Sequence, residues 1–356
     1  MRHFLRARFA SLLFLALFSP LANAASGLGQ DPVTCTKEQR AIKEEGYVTL
    51  GGIEQWVTVK GDDCRNPVIL FIHGGPGNPN TPFAHPPYEA WEKDFTLVQW
   101  DQRGAGKTFA RNPSTADGRL TLDGMARDGN ELAAYLLTHL HVKKVILFGG
   151  SWGSVLSVHM AKSRPELFGA YLGTGQLVKS PENGIAGYRA LLALAREAGD
   201  SPTVAALEGL GEPPWTNPRA FGIMRRASRV YEAKTTTASP KTWWTLAPDY
   251  ATPEAQAAYE AGEDYSFLQF VGMKGDGMLA SVDVTKLGYD FPMPVFMVQG
   301  AQDLITVPEI SKRYFDAIHS PHKEYFLLPK VGHDPNPDMI ASQFAILKNK
   351  IAPMLR

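Results

Sequence analysis

The chain is short of cysteine, of net charge and of long apolar runs. Its 356 residues include only two cysteines, Cys35 and Cys64, and neither sits in a CxxC pair or a histidine-bearing cluster, so no metal site and no cofactor is called for. Thirty-six basic residues balance thirty-six acidic ones, which argues against nucleic acid or an anionic membrane surface as a partner. Internal repeats, low-complexity tracts and long charge runs are also missing from the sequence.

The one extended apolar run, from Phe9 to Phe18, follows the basic residues Arg2, Arg6 and Arg8 and precedes the small-residue A-x-A site Ala22-Asn23-Ala24. It is too short to span a bilayer comfortably. Residues 1–24 therefore read as a secretory signal peptide cut after Ala24, with the mature protein exported to a periplasm or secreted and no stable membrane insertion after cleavage. In such an oxidising compartment Cys35 and Cys64 are expected to pair. The bond would fasten an N-terminal arm, residues 25–45, to the turn Gly61-Asp62-Asp63-Cys64 and stabilise by about 3 kcal/mol in the chain-entropy model.

What is present is ordinary globular material, 44% hydrophobic and 20% charged, in an order that can be read. Residues 46–50 and 53–60 alternate polar and apolar around Gly51-Gly52, as an antiparallel pair with one solvated face does. The runs 67–72, 95–100, 144–148 and 170–173 are nearly continuous apolar stretches, which fit strands buried on both faces of a parallel sheet, with helix-like segments between them. From about 180 to 289 the strand character stops and Ala-, Glu- and Trp-rich sequence takes over, broken at Pro213-Pro214, Pro218 and Pro240. It resumes at 294–299 and 323–328, and a closing helix is expected over 339–351.

The chemistry centres on Gly149-Gly150-Ser151-Trp152-Gly153 at the end of one buried run. This G-x-S-x-G box resembles the nucleophile elbow of α/β-hydrolases, a strand-turn-helix in which small neighbours let the serine adopt a strained backbone. Ser151 is the candidate nucleophile, and the Trp152 N–H, at the start of the following helix, is a candidate oxyanion donor. His73-Gly74-Gly75-Pro76-Gly77 follows an earlier buried run and supplies Gly75 as the second donor, with His73 expected to order the loop by hydrogen bonds. A serine hydroxyl needs a base, and the base a carboxylate to orient it. In the order serine, acid, histidine, Asp303 after the strand-like 294–299 and His333 after 323–328 fill those roles. Asp334 competes as the carboxylate, but a residue adjacent to the imidazole is badly placed to reach its far side. The segment Asp101-Gln102-Arg103-Gly104-Ala105-Gly106-Lys107-Thr108 looks like a phosphate loop yet lacks glycine at the Asp101 position and a convincing following helix. It reads as a structural turn with Asp101 and Arg103 available to pair.

Together the HGGPG, DQRG and GGSWG segments, with the Asp303 and His333 loops, make the chain from about 46 to the C-terminus resemble the α/β-hydrolase superfamily, and within it the prolyl iminopeptidase-like serine peptidases. The resemblance implies an α/β-hydrolase fold: a mostly parallel eight-stranded sheet flanked by helices, its core in two parts, 46–179 and 290–356, with a helical cap inserted over 180–289. It also implies release of an N-terminal residue, often proline, through an acyl-enzyme. Peptidases of this kind hold the substrate amine with acidic cap residues, for which Glu182, Glu232, Glu263 and Asp264 are the candidates here, while Trp243 and Trp244 either line the pocket or fill the cap. The expected partner is a small peptide or ester. Carboxylesterase or lactonase activity with the same machinery is the near alternative, and a catalytically silent binding protein of this fold the distant one. Assembly state is not encoded in any of these features.

Overall fold

Strands β1 (Ile42–Leu50), β2 (Ile53–Gly61), β3 (Val68–Ile72), β4 (Thr96–Trp100), β5 (Val145–Gly150), β6 (Phe168–Thr174), β7 (Val295–Gly300) and β8 (Lys323–Leu328) form a single sheet in the order β1-β2-β4-β3-β5-β6-β7-β8. The computed structural model describes Leu28 and residues 31–113 and 119–355, so the signal-peptide reading of residues 1–24 lies outside the described residues. Strand β2 runs antiparallel to both β1 and β4, and every later pairing is parallel.

The helices are α1 (His85–Tyr88), α2 (Gly106–Arg111), α3 (Leu122–His139) and α4 (Trp152–Ser163), then α5 (Ser180–Glu197), α6 (Ser201–Leu210), α7 (Pro218–Glu232) and α8 (Pro253–Val271) between β6 and β7, and finally α9 (Pro308–Ala317), α10 (Pro337–Ile346) and α11 (Ala352–Met354). Helix α10 starts two residues before the expected position because Asn336 caps it, its Oδ1 accepting the Met339 N–H at 2.9 Å, with Pro337 following the cap. No helix among the described residues is long and apolar enough to cross a membrane.

All of β3, β4, β6 and β7 is buried, and so is β5 up to its last residue. Successive side chains divide between two cores, as the two-residue period of a strand requires. Leu70, Val98 and Leu147 pack with Leu132 and Leu136 of α3 and Val155 and Leu156 of α4. Phe71, Ile146 and Phe148 face the other way, onto Tyr88, Trp91, Ile340 and Ile346. The helical stretch between β6 and β7, called the cap below, has a core of its own around Tyr188, Leu191, Leu207, Trp215 and Met224.

Strand β1 begins at Ile42 rather than at the expected Gly46, and its alternating burial marks an edge strand with one wet face. The register then fixes the site. Ile72 lies opposite Gly149, Gly150 opposite Thr174, Thr174 opposite Val298, and Gly300 opposite Leu328. The loops that leave β3, β5, β6, β7 and β8 thus open on one rim, at the carboxyl ends of the parallel strands, where open α/β sheets bind ligands.

Candidate active site

Ser151 occupies the turn between β5 and α4 with φ 53° and ψ −120°, a conformation that costs a non-glycine residue about 1–3 kcal/mol and persists only where its surroundings impose it. Gly149 and Gly153 allow the close packing around this turn. A Cβ on Gly149 would fall 2.2 Å from Ser157 Oγ and 2.6 Å from the Gly153 carbonyl oxygen, and one on Gly153 would fall 1.9 Å from the Ile72 carbonyl oxygen. Gly150 is different, its nearest neighbour being 4.0 Å away. The elbow is tied down by the Ser151 N–H, which donates to the Thr174 carbonyl at 3.0 Å. Ser154 Oγ ties it again, donating to the Ser151 carbonyl at 2.6 Å and accepting the Leu177 N–H at 3.1 Å.

Ser151 Oγ is 2.9 Å from His333 Nε2. The other ring nitrogen, Nδ1, is 3.1 and 3.0 Å from the two carboxylate oxygens of Asp303. With Nδ1–H donating to Asp303, Nε2 is left as the acceptor facing the serine hydroxyl. Asp303 is 3% exposed and is fixed from several sides. Its Oδ1 accepts the N–H groups of Ile305 and Thr306 at 2.8 and 2.7 Å, and its Oδ2 accepts from the Thr306 hydroxyl at 2.6 Å and Gln299 Nε2 at 3.0 Å. Burial by itself pushes this carboxyl up, but the neighbouring His333 and the hydrogen bonds from His333 and Thr306 outweigh it and hold the pKa below the usual carboxylate value. Asp334 does not compete, since it accepts from Arg225 at 2.6 Å and Arg229 at 2.9 Å on α7.

The HGGPG loop runs between the elbow and α8. A Cβ on Gly74 would lie 3.4 Å from Ser151 Cβ, and one on Gly77, where φ is +91°, would lie 2.7 Å from Ser266 Cβ and 3.1 Å from Glu263 Cα of α8. Gly75 sits between them at φ +106°. Trp152 opens α4, in the first turn where N–H groups have no partner within the helix. Its fully buried indole donates to Gln102 Oε1 at 3.2 Å and meets the Phe270 ring edge-on at 5.1 Å.

Gln102 is a residue the sequence reading passed over, although it stands in the DQRG segment itself. Its Nε2 donates to the His73 carbonyl at 3.0 Å and its backbone N–H to His73 Nε2 at 3.2 Å, while His73 Nδ1 donates to the Gly74 carbonyl at 2.8 Å. Burial holds the His73 imidazole down to a pKa of about 4, so it works as a neutral tie between loops, the ordering role expected of it.

The sequence profile described as the alpha/beta hydrolase fold matches residues 67–338. The chain belongs to the α/β-hydrolase family. Relatives of this hydrolase include a probable aminopeptidase of Bacillus subtilis, 28% identical over 84% of this chain and 93% of that protein, and a probable proline iminopeptidase of Streptomyces coelicolor, 26% identical over 77% and 85%. Among solved structures the proline iminopeptidase of Mycobacterium smegmatis superposes with a TM-score of 0.62, covering 87% of this chain and 98% of its own at 18% identity. At that identity the likeness is one of fold.

The turn after β4 in this hydrolase departs from the expected pairing of Asp101 with Arg103. Arg103 swings outward, its Nε donating to Asp128 Oδ2 of α3 at 2.8 Å and a terminal nitrogen to the Gly51 carbonyl at 2.8 Å. Asp101 points under the chain instead, where its carboxylate accepts from the Thr81 hydroxyl, from the Lys107 N–H at 2.8 Å and from the Tyr250 hydroxyl of the cap at 3.4 Å. The Lys107 bond explains a second departure. The segment does carry a helix, the six-residue α2, one of whose first-turn N–H groups, that of Lys107, is taken by the Asp101 carboxylate just past the end of β4.

The four cap carboxylates separate by position. Glu182 is on the surface, paired with Arg313, and Asp264 is exposed. Glu232 is 6% exposed with both oxygens engaged by backbone N–H groups of Leu304 and His333. Glu263 is half-buried on the stretch of α8 that packs against the HGGPG loop. Trp244 is largely exposed, edge-on to Phe83, and Trp243 packs against the core beneath α1. Cys35 and Cys64 are joined in a disulfide, and although Asp63 lies beside them, the sulfurs are thereby removed as metal ligands.

Proposed function

We propose that this α/β-hydrolase is an exported serine aminopeptidase of the proline iminopeptidase type, acting through an acyl-enzyme on Ser151. The reading is carried by the unbroken relay from Ser151 Oγ through His333 Nε2 and Nδ1 to Asp303, with spacings of 2.9 Å and 3.0 Å. As Ser151 Oγ attacks the scissile carbonyl, its proton passes to His333 Nε2, and Asp303 stabilises the imidazolium so formed. The carbonyl oxygen becomes an oxyanion held by the N–H groups of Gly75 and Trp152. Collapse breaks the C–N bond, the proton goes from Nε2 to the departing amine, and water then enters by the same route to release the acid.

The substrate class rests on the relatives and on Glu263. Glu263 is half-buried on α8 with its Cα against Gly77 of the HGGPG loop, and the charged amine of an N-terminal residue paired with its carboxylate would gain a charge-assisted hydrogen bond. Export rests on residues 1–24 and on the Cys35–Cys64 bond.

A substrate panel tests this. Proline amide with a free amine should be cleaved at least about 100-fold better than its N-acetyl form, because acylation leaves the Glu263 carboxylate without its partner. Glu263→Gln should narrow that gap while leaving hydrolysis of a simple ester in place. Ser151→Ala should lower kcat/KM by about 10⁴-fold or more on every substrate. Indifference to the amine would move the reading to a carboxylesterase.

A further inference from the structure

The last residue of cap helix α7, Glu232, lies behind the two loops that carry Asp303 and His333. Its Oε1 accepts the Leu304 N–H at 2.8 Å, one residue past Asp303, and its Oε2 accepts the His333 N–H at 2.9 Å. One side chain thus bridges the backbone of both loops, once beside Asp303 and once at His333 itself. The fit is close, since a Cβ on Gly332 would fall 2.5 Å from Glu232 Oε2. Both bonds are carboxylate-to-amide and sheltered from water, the circumstances in which such bonds are strongest. Burial and the nearby Asp303 push the Glu232 carboxyl above its ordinary value, which the two backbone N–H bonds partly offset.

The rest of α7 and the segment after it grip the same loop. Arg225 and Arg229 hold Asp334, the Thr237 N–H donates to the Lys330 carbonyl at 2.9 Å, and Asn336 Nδ2 donates to the Thr237 carbonyl at 3.1 Å. The histidine loop is therefore laced to the cap over most of its length, and Glu232 also reaches the aspartate loop, which Asn183 of α5 holds further along by accepting the Val307 N–H at 2.8 Å and donating to the Ile305 carbonyl.

We propose that Glu232 is a positioning residue for the reaction: by bridging the Leu304 and His333 amides it holds Asp303 and His333 in register with Ser151, so that assembly of the relay depends on cap helix α7. The inference rests on the serine-hydrolase reading of Ser151 and is independent of whether the substrate bears a free amine.

The test is to titrate active sites with an alkyl fluorophosphonate and to follow hydrolysis of an activated p-nitrophenyl ester by the full chain and its variants. Labelling of wild-type Ser151 establishes the serine chemistry separately. Per labelled site, Glu232→Ala should lose about 10–100-fold in kcat, as displacement of reacting groups by an ångström does, with KM changed by less than about threefold. Glu232→Gln keeps the shape and one acceptor but turns an NH₂ toward the second N–H, and should lose about tenfold; it also serves if the alanine variant fails to fold. Glu208→Gln, altering the exposed pair with Arg196 on the cap surface, is the control and should match wild type. Rates per labelled site equal to wild type in Glu232→Gln, or a defect confined to KM, would overturn the proposal.

Discussion

At the scale of single residues the elbow makes a sharp contrast between neighbours of the same type. Gly153→Ala sets a methyl 1.9 Å from the Ile72 carbonyl, whereas Gly150→Ala meets nothing closer than 4.0 Å. The first substitution should cost at least about 1–3 kcal/mol of stability, the usual toll of overpacking, together with activity, and the second should cost little of either. Urea midpoints of the two variants check this, and similar midpoints would mean that the helix does not need to approach the strand so closely. Asp303→Asn keeps the outline of the relay but removes the charge that orients Nδ1–H, so kcat should fall about 10³–10⁴-fold, and the melting temperature should fall as well, because the amide NH₂ then faces donors that the carboxylate accepted from. An activity loss below tenfold would show that the imidazole is oriented by something else. These residues were legible in the sequence because each lies in a short local pattern: a boxed serine, a glycine loop after a strand, an acid and a histidine after the last two strands. Glu232 was legible only as one acid among four. Its partners Leu304 and His333 are 72 and 101 residues away, and no local spacing encodes such a contact.

Among the elements, the turn from β4 into α2 departs most from expectation, and it carries a pH dependence. Buried Asp101 has its pKa pushed up from 3.8 to about 6 by desolvation, which the bonds from Thr81, Lys107 and Tyr250 only partly offset. The folded chain therefore binds this proton more tightly than the unfolded one. The resulting contribution to stability is fully present below pH 3.8 and is lost as the pH rises through about 6, a swing on the order of 3 kcal/mol at most. Asparagine does not titrate, so the stability of wild type relative to Asp101→Asn should worsen between pH 4 and pH 7. Denaturation midpoints of both proteins at the two pH values test it; a constant difference would contradict the assignment. The helix itself escaped the sequence reading because it is only six residues long and begins on a glycine, Gly106, with its N-terminal acceptor Asp101 five residues upstream, just past the end of β4. Strand β1 escaped in part for the opposite reason: Lys43, Glu44 and Glu45 are polar in succession, and only the pairing with β2 shows which of them faces solvent.

For the whole molecule, the eight-stranded sheet and its helices follow from the order of apolar runs, and the cap from the place where those runs stop. How cap and sheet engage does not follow, because that contact is made by scattered polar groups such as Glu232, Arg225, Arg229, Ser266 and Tyr250. The disulfide spans 29 residues, ties the arm to the turn after β2, and should contribute about 3–4 kcal/mol by closing that loop in the unfolded chain. Cys35→Ser with Cys64→Ser should lower the urea midpoint accordingly while leaving the kinetics per folded molecule unchanged, since the bond is remote from the rim. Hydrolysis as proposed requires Ser151 to be the nucleophile and His333 to activate it. The most direct measurement is peptide mapping by mass spectrometry after treatment of the full chain with an alkyl fluorophosphonate. One adduct on Ser151 is predicted, absent in Ser151→Ala and formed at least about 10³-fold more slowly in His333→Ala. An adduct on another residue, no adduct, or equal labelling without the imidazole would contradict it.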